Sequence, residues 1–319
     1  MKKLLLLNAA LVAAIGAFAQ STDNQPKEYP GYKLVFHDEF DVDGLPNSTY
    51  WTYDLGKRNH EDQLYTTSNA WVKDGNLVIE ARKEDVQDNG KTYHYTSSSL
   101  ATKNQKEGAY ISAWSYGRYE VRAKIPCQLG CWPAIWLLGN DNGLEWPYSG
   151  EIDIMEYYPV KGEEMLHANV CWGTSKRWNA HWNSNTKKIS DLVARNANWK
   201  EEFHVWRMDW DKDCIKLYVD DELLNKIDLN QTINPRTDHC AFDNYNPFRD
   251  HKMYLLLNLA LGGDNGGSLA NTIFPCQYLV DYVRIYQKEN CSTPSDTCQR
   301  QLASYPQRKE IFRTQIACF

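Results

Sequence analysis

The sequence predicts an all-β fold, a sandwich of two antiparallel sheets. Short runs rich in β-branched and aromatic residues recur along the chain. Gly, Asn, Asp and Pro separate them, as in Lys73-Asp74-Gly75-Asn76 and Gly262-Gly263-Asp264-Asn265-Gly266-Gly267. Sustained helical periodicity is scarce and βαβ alternation is lacking, which removes the parallel-sheet classes.

Taken in order, the chain opens on Met1-Lys2-Lys3, then an apolar run from Leu4 to Gly16, then Ala17-Phe18-Ala19. That pattern reads as an export signal, residues 1–19, cleaved after Ala19. The apolar run is too short for a membrane span. Residues 20–31 are a polar lead-in. Strand-like runs then extend from Tyr32 to Phe40, Asn76 to Arg82, Gly117 to Ile125, Glu151 to Tyr157 and Leu166 to Trp172. More follow from Phe203 to Trp210, Cys214 to Asp221, Tyr254 to Leu261 and Tyr278 to Tyr286. In the run from Cys214, Ile215, Leu217 and Val219 share one face, and Lys216, Tyr218 and Asp220 the other. One domain, residues 32–288, holds all of these runs. Residues 289–319 form a tail with Cys291, Cys298 and Cys318, too short for a second domain.

The 319 residues carry 35 Lys and Arg against 41 Asp and Glu, a net charge of −6. Loss of residues 1–19 removes two lysines and no acid, so −6 becomes −8. A surface of that sign does not gather nucleic acid, and a monomer without nucleic-acid partners is expected. Twelve Trp and 20 Tyr exceed what a core needs and point to exposed stacking platforms. The nine cysteines show no paired zinc spacing. Cys127 with Cys131, and Cys291 with Cys298, are close enough in sequence to bridge locally, and the odd count leaves at least one thiol free unless it pairs with another chain.

The segment Gly150-Glu-Ile-Asp-Ile-Met-Glu-Tyr157 carries the chemistry. Ile152 and Ile154 alternate with Glu151 and Asp153, so an apolar back opposes an acidic front. Strict alternation would send Glu156 into the core, where a lone carboxylate is very costly. One extra residue, a β-bulge, returns Glu156 to the front. Glu151 and Glu156 then stand about four strand steps apart, roughly 13 Å. Two converging side chains reduce this to about 5 Å, the spacing of a retaining rather than an inverting glycosidase. A solvated acidic face or a calcium site is the plainer alternative.

Glu151-Ile-Asp153-Ile-Met-Glu156 resembles the bulged signature of glycoside hydrolase family 16. Other stretches resemble the family in the same order: Asn59-His-Glu61-Asp-Gln63-Leu-Tyr65, Gly117-Arg-Tyr-Glu-Val-Arg-Ala-Lys-Ile-Pro126, Trp132-Pro-Ala-Ile-Trp136 and Val280-Asp-Tyr-Val-Arg-Ile-Tyr286. The resemblance implies a jelly-roll sandwich with an open concave cleft. It also implies roles: Glu151 as nucleophile, Glu156 as general acid/base, and Asp153 holding and tuning the pair, with no catalytic cofactor. Three acids on one face raise each other's pKa, so one can stay protonated while another ionises.

Substrate-binding candidates are Asn59, Trp132, Trp136, Trp146 and His167, with core packing the alternative for the first two tryptophans and for the histidine. The resemblance also places a structural Ca2+ at Asp281 and the turn at Gly75, an arginine partner being the equal alternative. The expected substrate is a β-linked polysaccharide: β-1,3 or mixed β-1,3/1,4 glucan. A β-galactan of agar or porphyran type, a transglycosylase reaction and a non-catalytic carbohydrate-binding sandwich are the rivals. Two departures blur the sugar. Laminarin-cleaving members often carry Arg where this chain has Ser99, and Trp after the double glycine where it has Asp264-Asn265. The stretch Trp178-Asn-Ala-His-Trp182 offers replacement stacking, or packs its own loop.

Overall fold

The computed structural model describes residues 25–104, 109–139 and 144–289. The expected export signal and its cleavage site lie outside them, as does the tail from residue 290 with Cys291, Cys298 and Cys318. The strands belong to the compact unit that begins at Gly31.

Among the described residues the strands are β1 (Tyr32–Asp38), β2 (Thr52–Tyr53), β3 (Leu64–Tyr65), β4 (Ala70–Lys73), β5 (Asn76–Asp88), β6 (Lys91–Ser97), β7 (Ser99–Ala101), β8 (Lys103–Asn104), β9 (Ala109–Tyr110) and β10 (Gly117–Lys124). They continue as β11 (Cys131–Gly139), β12 (Glu151–Val160), β13 (Glu163–Gly173), β14 (Ala180–Lys188), β15 (His204–Trp210), β16 (Cys214–Val219), β17 (Glu222–Asp228), β18 (Met253–Leu261) and β19 (Cys276–Lys288). One sheet has the order β14-β13-β12-β11-β18-β7-β2. The other runs β17-β16-β15-β10-β19-β5-β6-β3, with β1 on β19 and β4 on β5. The short β3–β6 pair is parallel, and the other pairings in the two sheets are antiparallel. The expected two-sheet sandwich is what forms.

Period two places the core. On β16 the buried residues are Ile215, Leu217 and Val219, as their alternation predicts. Leu137, Ile152, Met155 and Val170 of the first sheet share one buried cluster with Val121, Trp206, Leu217 and Val280 of the second. Each such side chain contributes roughly 1.5–3 kcal/mol by leaving water. The β4–β5 hairpin turns on Asp74 and Gly75 at φ 50° and 74°. Two left-handed central residues match the twist of the flanking strands, which explains the Asp-Gly pair there.

Two expectations change. Asp281 sits at an irregularity of β19. Arg122 pairs with Tyr282 and Ala123 with Val280, so Asp281 is the extra residue of a bulge. Its Oδ2 accepts a 2.6 Å hydrogen bond from Arg122 Nη1. A guanidinium on that carboxylate opposes a dication, and among the described residues no group of three or more His, Cys, Asp and Glu is arranged to hold a metal ion. Of the two readings for Asp281, the arginine partner is the one that forms. The second change concerns Cys131. The local bridge to Cys127 is not formed. Its Sγ instead lies 3.4 Å from Cys276 Sγ, across the two sheets.

Candidate active site

The site is built on β12 and its neighbours in the seven-stranded sheet. Asp153 pairs with Asn169 of β13, but the next pair is Glu156 with His167, so the register slips by one residue between them. The β11 side shows the same slip, Ile135 facing Met155 and Trp136 facing Asp153. Ile154 and Met155 both turn into the core. The bulge expected from the misplaced glutamate is present, and Glu151, Asp153 and Glu156 share the face opposite the core.

Each carboxylate is held by a named donor. Trp146 Nε1 donates to Glu151 Oε2 at 2.8 Å. Trp132 Nε1 donates to Glu156 Oε1 at 2.8 Å. Asn169 Nδ2 lies 3.1 Å from Glu156 Oε2 and 3.3 Å from Asp153 Oδ2, tying the two together. Asp153, 1% exposed, is hydrogen-bonded to Glu151. Desolvation pushes Glu151 up to about 7, against the hydrogen bonds of Trp146 and Asp153 and the charge of Arg58. Desolvation also pushes Glu156 up to about 7; the Trp132 hydrogen bond opposes this and the charge of Glu151 reinforces it. Asp153 is raised well above the usual carboxylate range, by burial first and then by the charges of Glu156 and Glu151. Burial and the two neighbouring charges thus favour the protonated form of the central aspartate.

The expected binding residues divide. Trp132 and Trp146 stand half-buried beside the acids, their indole N–H groups aimed at them. The Trp132 ring also meets Tyr158 edge-on, centroids 5.7 Å apart. Trp136 is more committed: its Nε1 donates to Asn258 Oδ1 at 2.7 Å, and it packs on Ala101, Tyr254 and Leu256. Asn59 is exposed in a loop at φ 46°. His167 is directly across from Glu156, yet it is buried. Its ring stacks on Tyr158 at 3.5 Å, and its Nε2 donates to the Tyr158 carbonyl at 3.2 Å. Burial lowers it to about 4, so the ring is neutral and supports Tyr158. The structural alternative describes His167 better than sugar contact does.

Three residues were not anticipated. Asn169 bridges two of the acids. Tyr158 lies on the cleft side of β12 between Trp132 and His167. Arg58 places its guanidinium 5.3 Å above the Trp136 ring, paired with Asp54. Asn169 shares strand parity with His167, and that signal was available. Nothing local marks Arg58, which reaches the site from a loop. Of the two departures, Ser99 is buried opposite Asn258, and Gly262-Gly263 turn at φ 61° and 64° against the loop of Asp62, Glu61 and His60.

The model of glycosyl hydrolases family 16 matches residues 57–255. A beta-glucanase of Rhodothermus marinus is 34% identical over 307 residues, covering 90% of this chain and 96% of that protein. The catalytic domain of an endo-1,3-beta-glucanase (laminarinase) from Thermotoga petrophila superposes with a TM-score of 0.66 at 31% identity, covering 81% of this chain and 99% of that one. A structure from work on endo-acting O-glycanases of the human gut microbiota, which initiate mucin breakdown, superposes with a TM-score of 0.69 at 32% identity. That likeness covers 88% of this chain and 98% of the other.

Proposed function

Because the chain belongs to glycosyl hydrolases family 16, and is a glycoside hydrolase, we propose that it cuts β-1,3 or mixed β-1,3/1,4 glucan internally, with retention. The observation that carries the proposal is the bulged acidic strand: three carboxylates on one open face, held by Trp146, Trp132 and a shared Asn169. Glu151 is the nucleophile. Arg58 lies among the groups that favour its ionised form, while burial first and then the charge on Glu151 favour the protonated form of Glu156. Glu156 then protonates the leaving oxygen as Glu151 attacks the anomeric carbon. The glycosyl–Glu151 ester is released by water that ionised Glu156 deprotonates, and two inversions leave the β configuration. Asp153 holds Glu151 through its own proton. Export after cleavage at Ala19 and action as a monomer complete the proposal; no helix among the described residues is long and apolar enough to cross a membrane.

A β-galactosidic glycan is the second reading. Ser99 and Asp264-Asn265 stand where glucan-cleaving members often carry Arg and Trp, and the likeness to the O-glycanase structure covers 88% of this chain. Reducing-end release across laminarin, lichenan, agarose, porphyran, carrageenan and mucin glycans separates the two. Release from laminarin or lichenan alone supports glucan. Release only from galactose-containing chains replaces it with the second reading, and release from none overturns both.

A further inference from the structure

We propose that Trp182 is a sugar-stacking platform at the β14 end of the cleft, taking a pyranose ring of the same polymer that the carboxylates cut. The inference rests on the glycan-cleaving reading and extends it to a residue outside the family signature.

Register places the ring. Glu151 pairs with Cys171 of β13, and Cys171 pairs with Trp182 of β14. Directly paired residues lie on the same side of a sheet. Trp182 therefore projects from the face that carries Glu151, Asp153 and Glu156, two strand spacings or roughly 10 Å from the nucleophile. The opposite face of β14 is accounted for: Asn183 accepts from Asn225 at 3.1 Å through Oδ1, and Asn185 donates to the Leu224 carbonyl. His181 likewise stacks on Trp172, centroids 5.5 Å apart.

Exposure decides the role. Trp182 is 48% exposed, whereas Trp51, Trp199, Trp206 and Trp210 are each at most 5% exposed. On the edge strand β14, about half of this indole faces water. Cys171, between Glu151 and Trp182 in that register line, is buried. Ser184 and Thr186 follow on the same side of β14 and are exposed, which supplies hydroxyl groups along the rim. A flat apolar ring face flanked by hydroxyls matches a pyranose, whose C–H face stacks while its edge groups hydrogen-bond. The chain thus has stacking surface at this end of the cleft, while the turn after its double glycine carries Asp264-Asn265.

The test compares Trp182→Ala and Trp182→Phe with the unaltered protein on the polysaccharide it degrades best and on short oligosaccharides of that polymer. Loss of one aromatic stacking contact is worth about tenfold in affinity. The alanine variant should raise KM for polymer about tenfold, with kcat changing much less. The phenylalanine variant should recover part of the loss, and the effect should shrink for oligosaccharides too short to reach β14. Binding of polymer to Glu151→Gln, with and without Trp182→Ala, gives the same comparison without turnover. Near-native melting curves exclude misfolding. Equal KM values for polymer in all three proteins overturn the platform while leaving the glycanase reading intact. No cleavage of any glycan by the unaltered protein overturns that reading, and the platform with it.

Discussion

Replacing Asn169 by Leu should move the basic limb of the pH–rate profile upward by about one unit. Asn169 Nδ2 donates to Glu156 Oε2 at 3.1 Å and to Asp153 Oδ2 at 3.3 Å, in a site where Asn169 is 3% exposed. A buried hydrogen bond to a carboxylate is worth about 1.5–3 kcal/mol. The donor is shared, so the lower end applies, and 1.36 kcal/mol is one pKa unit. The bond favours the ionised form, so its loss raises the pKa of Glu156. Glu156 must be protonated to act as general acid. Activity is therefore lost as pH climbs through its pKa, about 7 in the native protein, and the variant should hold activity to about pH 8. Leucine keeps the side-chain volume, so the cleft retains its shape. The assay is kcat/KM for a soluble oligosaccharide from pH 4 to 10, which reports the free enzyme. The acids interact, so the limb belongs to the cluster rather than to one carboxyl group. A variant whose rate falls while its basic limb stays in place would show that Asn169 shapes the cleft without setting the proton, and would refute the reasoning.

Glu151→Gln and Glu156→Gln should each lower turnover of polymer by at least about 10²-fold while leaving binding measurable. Proton NMR in the first minutes of digestion should show the β anomer rising before mutarotation; an initial α signal would mean inversion. Trp146→Phe removes the 2.8 Å donor to Glu151, which raises that pKa and moves the acidic limb upward by about one unit in the same pH–rate assay. For stability the sign reverses the usual carboxylate case. Glu156 binds its proton more tightly folded than unfolded, so native stability falls as pH rises from 4.5 to about 7. Glu156→Gln lacks that loss, and its stability relative to the unaltered protein should grow over that window by about 1–2 kcal/mol, discounted for partial exposure, in urea titrations. The Arg122–Asp281 pair predicts equal melting temperatures in calcium and in chelator; a rise with calcium would reinstate a metal there.

The two bulges show what a sequence can reveal about this sheet and what it hides. Both insert one residue, at Ile154-Met155 on β12 and at Asp281 on β19. The first announces itself because strict period two would bury Glu156, and a lone buried carboxylate is too costly to be native. The second offers no such contradiction. An Asp281 with an arginine partner was admissible, and nothing in Leu279-Val280-Asp281-Tyr282 says which residue is extra. The same distinction runs through the site. Parity and composition locate Trp132 and Trp146 near the acids, but not the aim of their N–H groups, which depends on rotamers fixed by packing. Asn169 could be placed on the right face, since it lies two residues beyond His167, but its double role needs the slipped register that brings Glu156 opposite His167 and Asp153 opposite Asn169. Arg58 could not be placed at all. It comes from a loop more than ninety residues before β12, and its contact with Trp136 is made only in the folded chain. Local alternation is therefore enough to name the carboxylates, because burial penalties act residue by residue. The groups that tune the carboxylates, Arg58, Trp132, Trp146 and Asn169, come from four separate places, and only the folded sheet brings them together.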